Sequence, residues 1–251
     1  MEISGNINYD FIKSYTPDFF DKNPNLDFAL MRKAITGTYP EKVTFSMTVP
    51  DSLISWISKK PSKIRCDLNK IAKRLDEYNL EVVPLTHTLL DEWYIGYKNF
   101  LHSIAHGIDR VDVQRIKNNI GEYLLVIGRD SLGSIRGGSI LKNLDEKLSY
   151  SYAWYSDEFK KNGGSTACIL KSIEYAISNG FETFSLGLDT NLYGGHLSFG
   201  LLHYKDSLME PIKPNGVNMY KIFINPNTTK SFCYFIQSDK KLKKVIINKK
   251  V

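Results

Sequence analysis

The stretch from Tyr123 to Leu188 constrains this chain more than any other. Three apolar, β-prone segments follow one another there, Tyr123 to Gly128, Ile135 to Leu141 and Leu148 to Tyr155. Turn sequences at Asp130-Ser131-Leu132-Gly133 and near Asn143-Leu144-Asp145-Glu146 separate them, so they read as an antiparallel meander. Next, Phe159-Lys160-Lys161-Asn162-Gly163-Gly164-Ser165-Thr166-Ala167 makes a glycine-paired turn that opens onto a helix. Ala167, Leu170, Ile173 and Ile177 recur at helical spacing, Ser165 or Thr166 is placed to cap the start, and Gly180 after Asn179 marks the end. A buried strand from Phe181 to Leu188 closes the run.

A helix start presents unpaired N–H groups and the positive end of the helix dipole, and glycines let an anion approach the backbone. Asn162, Gly163, Gly164, Ser165 and Thr166 are therefore candidates for holding a phosphate or diphosphate. Asn-Gly-Gly-Ser also makes an ordinary loop, and that reading stays open.

Upstream, Lys42 to Val49 alternates like a strand and ends at Pro50, after which Asp51 is placed to cap a helix. From Ser62 a basic amphipathic helix runs through Ile64, Leu68, Ile71 and Leu75 to Asn79, and a strand from Leu80 to Leu85 follows. Thr86 or Thr88 caps the next helix through Trp93, Tyr97 and Leu101, and Val111 to Lys117 makes a shorter one. A last strand lies around Tyr220 to Ile224.

No run reaches the roughly 20 apolar residues needed to cross a bilayer. Met1 to Asp10 is polar with acidic groups, unlike a signal peptide, so a cytoplasmic location is expected. The spacing of Cys66, Cys168 and Cys233 suits neither a disulfide framework nor a metal site. The net charge of +6 equals the six lysines at 240, 241, 243, 244, 249 and 250. Such a tail reads as a solvated end, or as a contact for RNA or an anionic surface. No Gly-x-Ser-x-Gly, Walker or His-Glu-x-x-His run is present, which leaves hydrolase and kinase readings without support.

The element order resembles the GNAT acyltransferases, and within them the FemAB-like branch. Three motifs carry the likeness. They are the basic helix Lys63 to Arg74, the run from Tyr155-Ser156-Asp157-Glu158-Phe159 through Asn162-Gly163-Gly164-Ser165 to Ile173-Glu174-Tyr175-Ala176, and Phe184-Ser185-Leu186-Gly187 followed by Gly200-Leu201-Leu202-His203-Tyr204-Lys205. The likeness covers about residues 60 to 215. Where GNAT loops carry Gln/Arg-x-x-Gly-x-Gly/Ala, this chain has Lys160 or Lys161 and then Ser165 or Thr166.

The resemblance implies an α/β fold with a mixed, mostly antiparallel central sheet flanked by helices. It divides the chain into an N-terminal extension or partial lobe (1–60), a GNAT-like domain (61–225) and a basic C-terminal segment (226–251). The implied reaction moves an acyl group from acyl-CoA, such as acetyl-CoA, without a metal, to an amine of a small metabolite, amino sugar or peptide. The alternatives are aminoacyl transfer from aminoacyl-tRNA, or a binding module without activity.

By the same resemblance the acyl carbonyl rests near Ser151 to Trp154, with Tyr152 and Trp154 on the donor, and Lys205, a candidate catalytic residue, matches the family's late lysine, which implies a charge near the donor phosphates or the tetrahedral oxyanion. Aromatic residues on strands are commonly core, and Lys205 also reads as a surface lysine lying along Tyr204. His196 and His203 are candidate general bases. Asp189 and Asn191, just after the Phe181 to Leu188 strand, and Tyr204 beside Lys205 are candidate substrate contacts, with loop capping as the other reading of Asp189.

Overall fold

The computed structural model describes residues 7–32, 39–103, 109, 111–194, 198–238 and 241–247. The chain opens with β1 (Tyr9–Ile12), α1 (Phe19–Lys22), β2 (Phe28–Arg32), β3 (Tyr39–Pro40) and β4 (Lys42–Thr48). It continues through α2 (Leu53–Ser58), α3 (Ser62–Ala72), β5 (Leu80–Pro84), α4 (His87–Ser103) and α5 (Val113–Asn118). The meander is β6 (Tyr123–Arg129), β7 (Ile135–Leu144) and β8 (Lys147–Tyr155), followed by α6 (Asp157–Lys161), α7 (Gly164–Ser178) and β9 (Thr183–Thr190). Last come α8 (Phe199–Leu208), β10 (Glu210–Ile212), β11 (Met219–Ile224), β12 (Phe232–Ser238) and β13 (Lys241–Ile247).

Two compact units emerge, residues 47–187 and residues 1–46 with 188–251. These boundaries differ from the division at 60 and 225 expected from the sequence, because the first and last segments of the chain fold into one unit.

In the unit 47–187 the sheet runs β9-β8-β7-β6-β5. Pairings β5–β6, β6–β7 and β7–β8 are antiparallel and β8–β9 is parallel, so the sheet is mixed and mostly antiparallel. A parallel neighbour needs a crossover, which α6 and α7 supply. On one face Leu90, Trp93 and Tyr97 of α4 pack with Leu125, Ile127, Ile140 and Trp154. α7 covers the other face over β5 to β8, burying Ala167, Cys168, Leu170 and Ile173. Gly96 inside α4 is required by this packing: a methyl group there would lie 2.0 Å from Cζ2 of Trp154.

The caps follow simple chemistry. Thr86 Oγ1 accepts from Leu89 N–H (3.2 Å), as expected. Before α2 the cap is Ser52, not Asp51, and its hydroxyl accepts from Ser55 N–H (3.1 Å). The basic helix ends at Ala72, and Asn79 terminates the following 3-10 turn in the left-handed region (φ 51°).

The other unit contains the sheet β1-β2-β11-β3, the β4–β10 pair and the β12–β13 hairpin. Phe28, Leu30, Tyr39, Leu192, Tyr220, Phe232 and Tyr234 form its core. The hairpin corrects the solvated-tail reading. Lys241 to Ile247 pairs in register with Phe232 to Ser238, and Val245 and Ile247, two residues apart on one side of that strand, pack against the core while Ile246 between them is exposed. Lys240, Lys249 and Lys250 lie outside the described residues.

Candidate active site

β8 and β9 run parallel only at Lys147–Thr183, Leu148–Phe184 and Ser149–Ser185, although both strands continue. Two features accompany this parting. In β8, Tyr152 opposes Ile140 and Tyr150 opposes Leu141, leaving Ser151 as an extra, exposed residue and therefore a bulge. In β9, Gly187 takes φ +82°, and a Cβ there would stand 2.5 Å from the Tyr150 carbonyl oxygen. A side chain at 187 would collide with that carbonyl, so glycine is needed for the close approach.

The start of α7 differs from the expectation. The cap is Gly163 at φ 88°, no side chain caps the helix, and Ser165 and Thr166 lie within its first turn. Ala167 N–H donates to Gly163 O (3.0 Å), and Tyr78 O–H donates to Asn162 O (2.6 Å), tying the loop to the 3-10 turn after α3. Both glycines have packing reasons. A Cβ on Gly163 would lie 3.1 Å from the Tyr78 hydroxyl, and one on Gly164 would lie 2.4 Å from the Phe159 ring. Lys160, Lys161 and Asn162 are exposed, whereas Ser165 and Thr166 are half-buried.

The bulge also gathers side chains that alternation alone keeps apart. Cross-strand partners share a face, so Tyr150 (opposite Leu141), Ala153 (opposite Ser139) and Tyr155 (opposite Gly137) lie on the face covered by α7. The hydroxyls of Tyr150 and Tyr155 are hydrogen-bonded to each other. Tyr155 also hydrogen-bonds the fully buried Cys168, whose thiol is pushed well above the usual range by burial. A methyl group on Gly137 would sit 2.8 Å from Cδ1 of Tyr155, so this ring lies directly over a glycine. On the same face the buried Ser139 hydroxyl has no hydrogen-bond partner among the described residues.

Trp154 is corrected from donor contact to core. It is 7% exposed, packs against α4, and gives its indole N–H to Trp93 O (2.9 Å). Tyr152 is half-buried on that same side of the sheet.

The remaining candidates belong to the unit formed by 1–46 and 188–251. Lys205 Nζ is 2.6 Å from Asp189 Oδ2, both side chains are 13% exposed, and Tyr193 O–H donates to the same carboxylate oxygen (3.2 Å). Lys205 is therefore an internally paired lysine, not a surface one. Asn191 is corrected from substrate contact to structural hub. It is fully buried, with Nδ2 donating to Pro40 O (2.8 Å) and Phe235 O (2.7 Å) and Oδ1 accepting from Phe235 N–H (2.7 Å). That set uses three of its four hydrogen-bonding positions. His203 is exposed on α8 and Tyr204 is half-buried beside it. His196 lies outside the described residues.

No family model matches the chain, and no curated protein matches it in sequence. Solved structures do. FemX aligns over 83% of this chain and 69% of its own, with TM-score 0.57 at 12% identity. The fold is GNAT-like, of the type seen in FemX. The C-terminal domain of a putative lysylphosphatidylglycerol synthetase from Agrobacterium fabrum is similar over 87% of this chain and 76% of its own (TM-score 0.50, 12% identity). L-PGS from Bacillus licheniformis aligns over 83% and 70%, with TM-score 0.48 and 13% identity.

The bulge at Ser151 and the left-handed Gly187, which accompany the parting of β8 from β9, are features that sequence reading did not foresee. Among the described residues no group of His, Cys, Asp or Glu is arranged to hold a metal ion, and no helix is long and apolar enough to cross a membrane.

Proposed function

We propose that the protein is an N-acyltransferase that moves an acyl group from acyl-CoA to an amine acceptor. The observation that carries this reading is the parting of two parallel strands after three residue pairs. A thin pantetheine thread lies between β8 and β9 where a further strand partner is missing, and main-chain groups of β8 beyond Ser151 bind it as a strand would. The acyl oxygen then faces backbone N–H groups near the bulge, which stabilise the negative charge that develops when the amine attacks. The diphosphate meets the first turn of α7, which no side chain caps, with Lys160 and Lys161 alongside.

Acyl transfer needs the amine deprotonated and held about 3 Å from the carbonyl carbon, and the leaving sulfur needs a proton. The test is acetyl-CoA with hydroxylamine as surrogate amine, followed as acetyl hydroxamate and free thiol in equal amounts. Enzyme-dependent formation of both supports the reading. Release of neither above the uncatalysed rate excludes acetyl-CoA as donor.

Aminoacyl-tRNA is the second reading, and charge distribution favours it. Residues 1–46 and 188–251 carry fifteen Lys and Arg against ten Asp and Glu, while the rest is nearly balanced. FemX and the synthetase domain are the neighbours named above at TM-scores of 0.50 or more, and the latter is named as part of a putative lysylphosphatidylglycerol synthetase. This reading predicts tRNA binding that weakens steeply with salt. Binding independent of salt counts against it.

A further inference from the structure

The two faces of the sheet differ where β8 parts from β9. On one, α7 covers β8, and the proposed donor brings its phosphates in from that side. On the other, the free stretch of β8 offers Tyr152, which is half-buried and whose hydroxyl makes no hydrogen bond among the described residues. α5 borders this second face. Its Ile116 is buried in the core that Tyr123, Ile140 and Trp154 also form, and Tyr152 packs against that core. Lys117 leans from α5 toward α4, where its ammonium is 2.7 Å from Asp91. At about 100° of turn per residue, Asp112 and Arg115 lie on the flank of α5 away from Lys117. That flank faces Tyr152. Burial raises the phenol's pKa, Tyr123 adds to it, and the two charges then act in opposite directions, Arg115 lowering it and Asp112 raising it. The cations bordering this face at Lys117 and Lys142 are held by Asp91 and Glu122, whereas the exposed Arg115 guanidinium has neither an ion pair nor a hydrogen bond among the described residues. Asp112 spends one carboxylate oxygen on the Arg115 backbone N–H (2.9 Å), capping α5, and its other oxygen has no partner among the described residues.

We propose that Arg115, Asp112 and Tyr152 form the acceptor subsite, and that the acceptor is a free α-amino acid. The inference rests on the acyl-transfer reading and names its substrate class. A guanidinium forks onto a carboxylate through two parallel N–H bonds. A simple carboxylic acid would make that contact but be opposed by Asp112, three residues away on the same flank. A phosphorylated acceptor calls for more than one open cation, and Lys117 and Lys142 are already paired. An α-amino acid carries both charges on neighbouring atoms, so its carboxylate meets Arg115 while its ammonium meets Asp112. The Tyr152 hydroxyl supplies a further donor to the carboxylate. The amine then stands beside the stretch of β8 where the acyl carbonyl rests. In the transfer, nitrogen forms its bond to the acyl carbon, and the carbon–sulfur bond breaks with its electron pair on sulfur. Of the two protons the ammonium loses, one goes to that sulfur and the other to solvent.

The test uses the full chain with acetyl-CoA and follows free thiol. Hydroxylamine serves as the reference acceptor, and alanine, leucine, phenylalanine, glutamate and lysine are each compared with the corresponding α-amide, per unprotonated amine. Transfer to hydroxylamine tests the acyl-transfer reading, and its absence overturns that reading and this inference with it. Given that transfer, at least one amino acid is expected to exceed its amide by about 10-fold or more in kcat/KM. In Arg115→Gln that ratio is expected to fall to about one through KM, and Arg115→Lys, which keeps the charge without the fork, should retain part of it. Arg115 is an exposed side chain, so both variants should melt with wild type. Turnover of hydroxylamine with no preference for acid over amide, or a preference that persists in Arg115→Gln, overturns the inference and leaves acyl transfer standing.

Discussion

Lys205 and Asp189 illustrate how a residue's surroundings escape its sequence. The sequence places Lys205 by resemblance and leaves its environment open, whereas the structure gives it a carboxylate at 2.6 Å and a tyrosine hydroxyl on the same oxygen. Charges this enclosed depend on each other: losing one partner strands the other, at a cost of about 3 kcal/mol. Lys205→Met is therefore expected to destabilise the protein by about that amount, and Lys205→Met with Asp189→Leu to return within about 1 kcal/mol of wild type. Urea unfolding of the singles and the double checks it, and an undisturbed single variant would show that the pair is not structural. Burial also raises the Tyr39, Tyr193 and Cys168 pKa values, and pushes Cys233 up to about 11. Each group stays neutral in the fold but ionises in the unfolded chain, above about 8.5 for thiols and about 10 for phenols. Folded values above unfolded ones mean stability that is complete below pH about 8.5 and declines as pH rises toward the folded values. Denaturant midpoints at pH 7 and pH 10 should differ in that direction; a flat profile contradicts it.

At the scale of elements, the glycine turn before α7 has a packing role that can be separated from the proposed binding of a donor. Gly164 is a packing glycine, because a Cβ would press on the Phe159 ring. Gly164→Ala should cost about 1–3 kcal/mol through overpacking, and combining it with Phe159→Leu should recover part of this. A thermal melt of the three variants decides, and an additive double would refute the contact. The proposed function puts the donor's diphosphate at the first turn of α7, so Ser165 is the residue at which to test anion binding. Periodicity made the meander, α4, α7 and β9 legible, since each buries a regular face. The bulge was not legible. In Tyr150-Ser151-Tyr152-Ala153-Trp154-Tyr155, plain alternation groups Tyr150 with Tyr152 and Trp154, and only the extra residue at 151 reverses this. Trp154 and Asn191 were misassigned for a related reason. Whether an aromatic ring or an amide spends its polar groups inside the fold depends on partners far away in sequence, Trp93 for one and Pro40 and Phe235 for the other.

For the whole molecule, the proposed function sets an activated acyl donor along the parted strands with its phosphates at the start of α7. The division of the chain was hidden because residues 1–46 and 188–251 share a core that no local pattern announces: Phe28 and Leu30 meet Tyr220, Phe232 and Tyr234 across about 200 residues. The direct test is calorimetric titration of the full chain with acetyl-CoA and with coenzyme A, alongside Ser165→Glu. A carboxylate in the first turn favours the helix itself, so that variant should melt no lower than wild type. Wild type is expected to bind both ligands, and Ser165→Glu, equally stable, to bind neither. Binding that survives in Ser165→Glu would contradict the placement of the phosphates, and absence of binding in the wild type would contradict acyl-CoA as the donor.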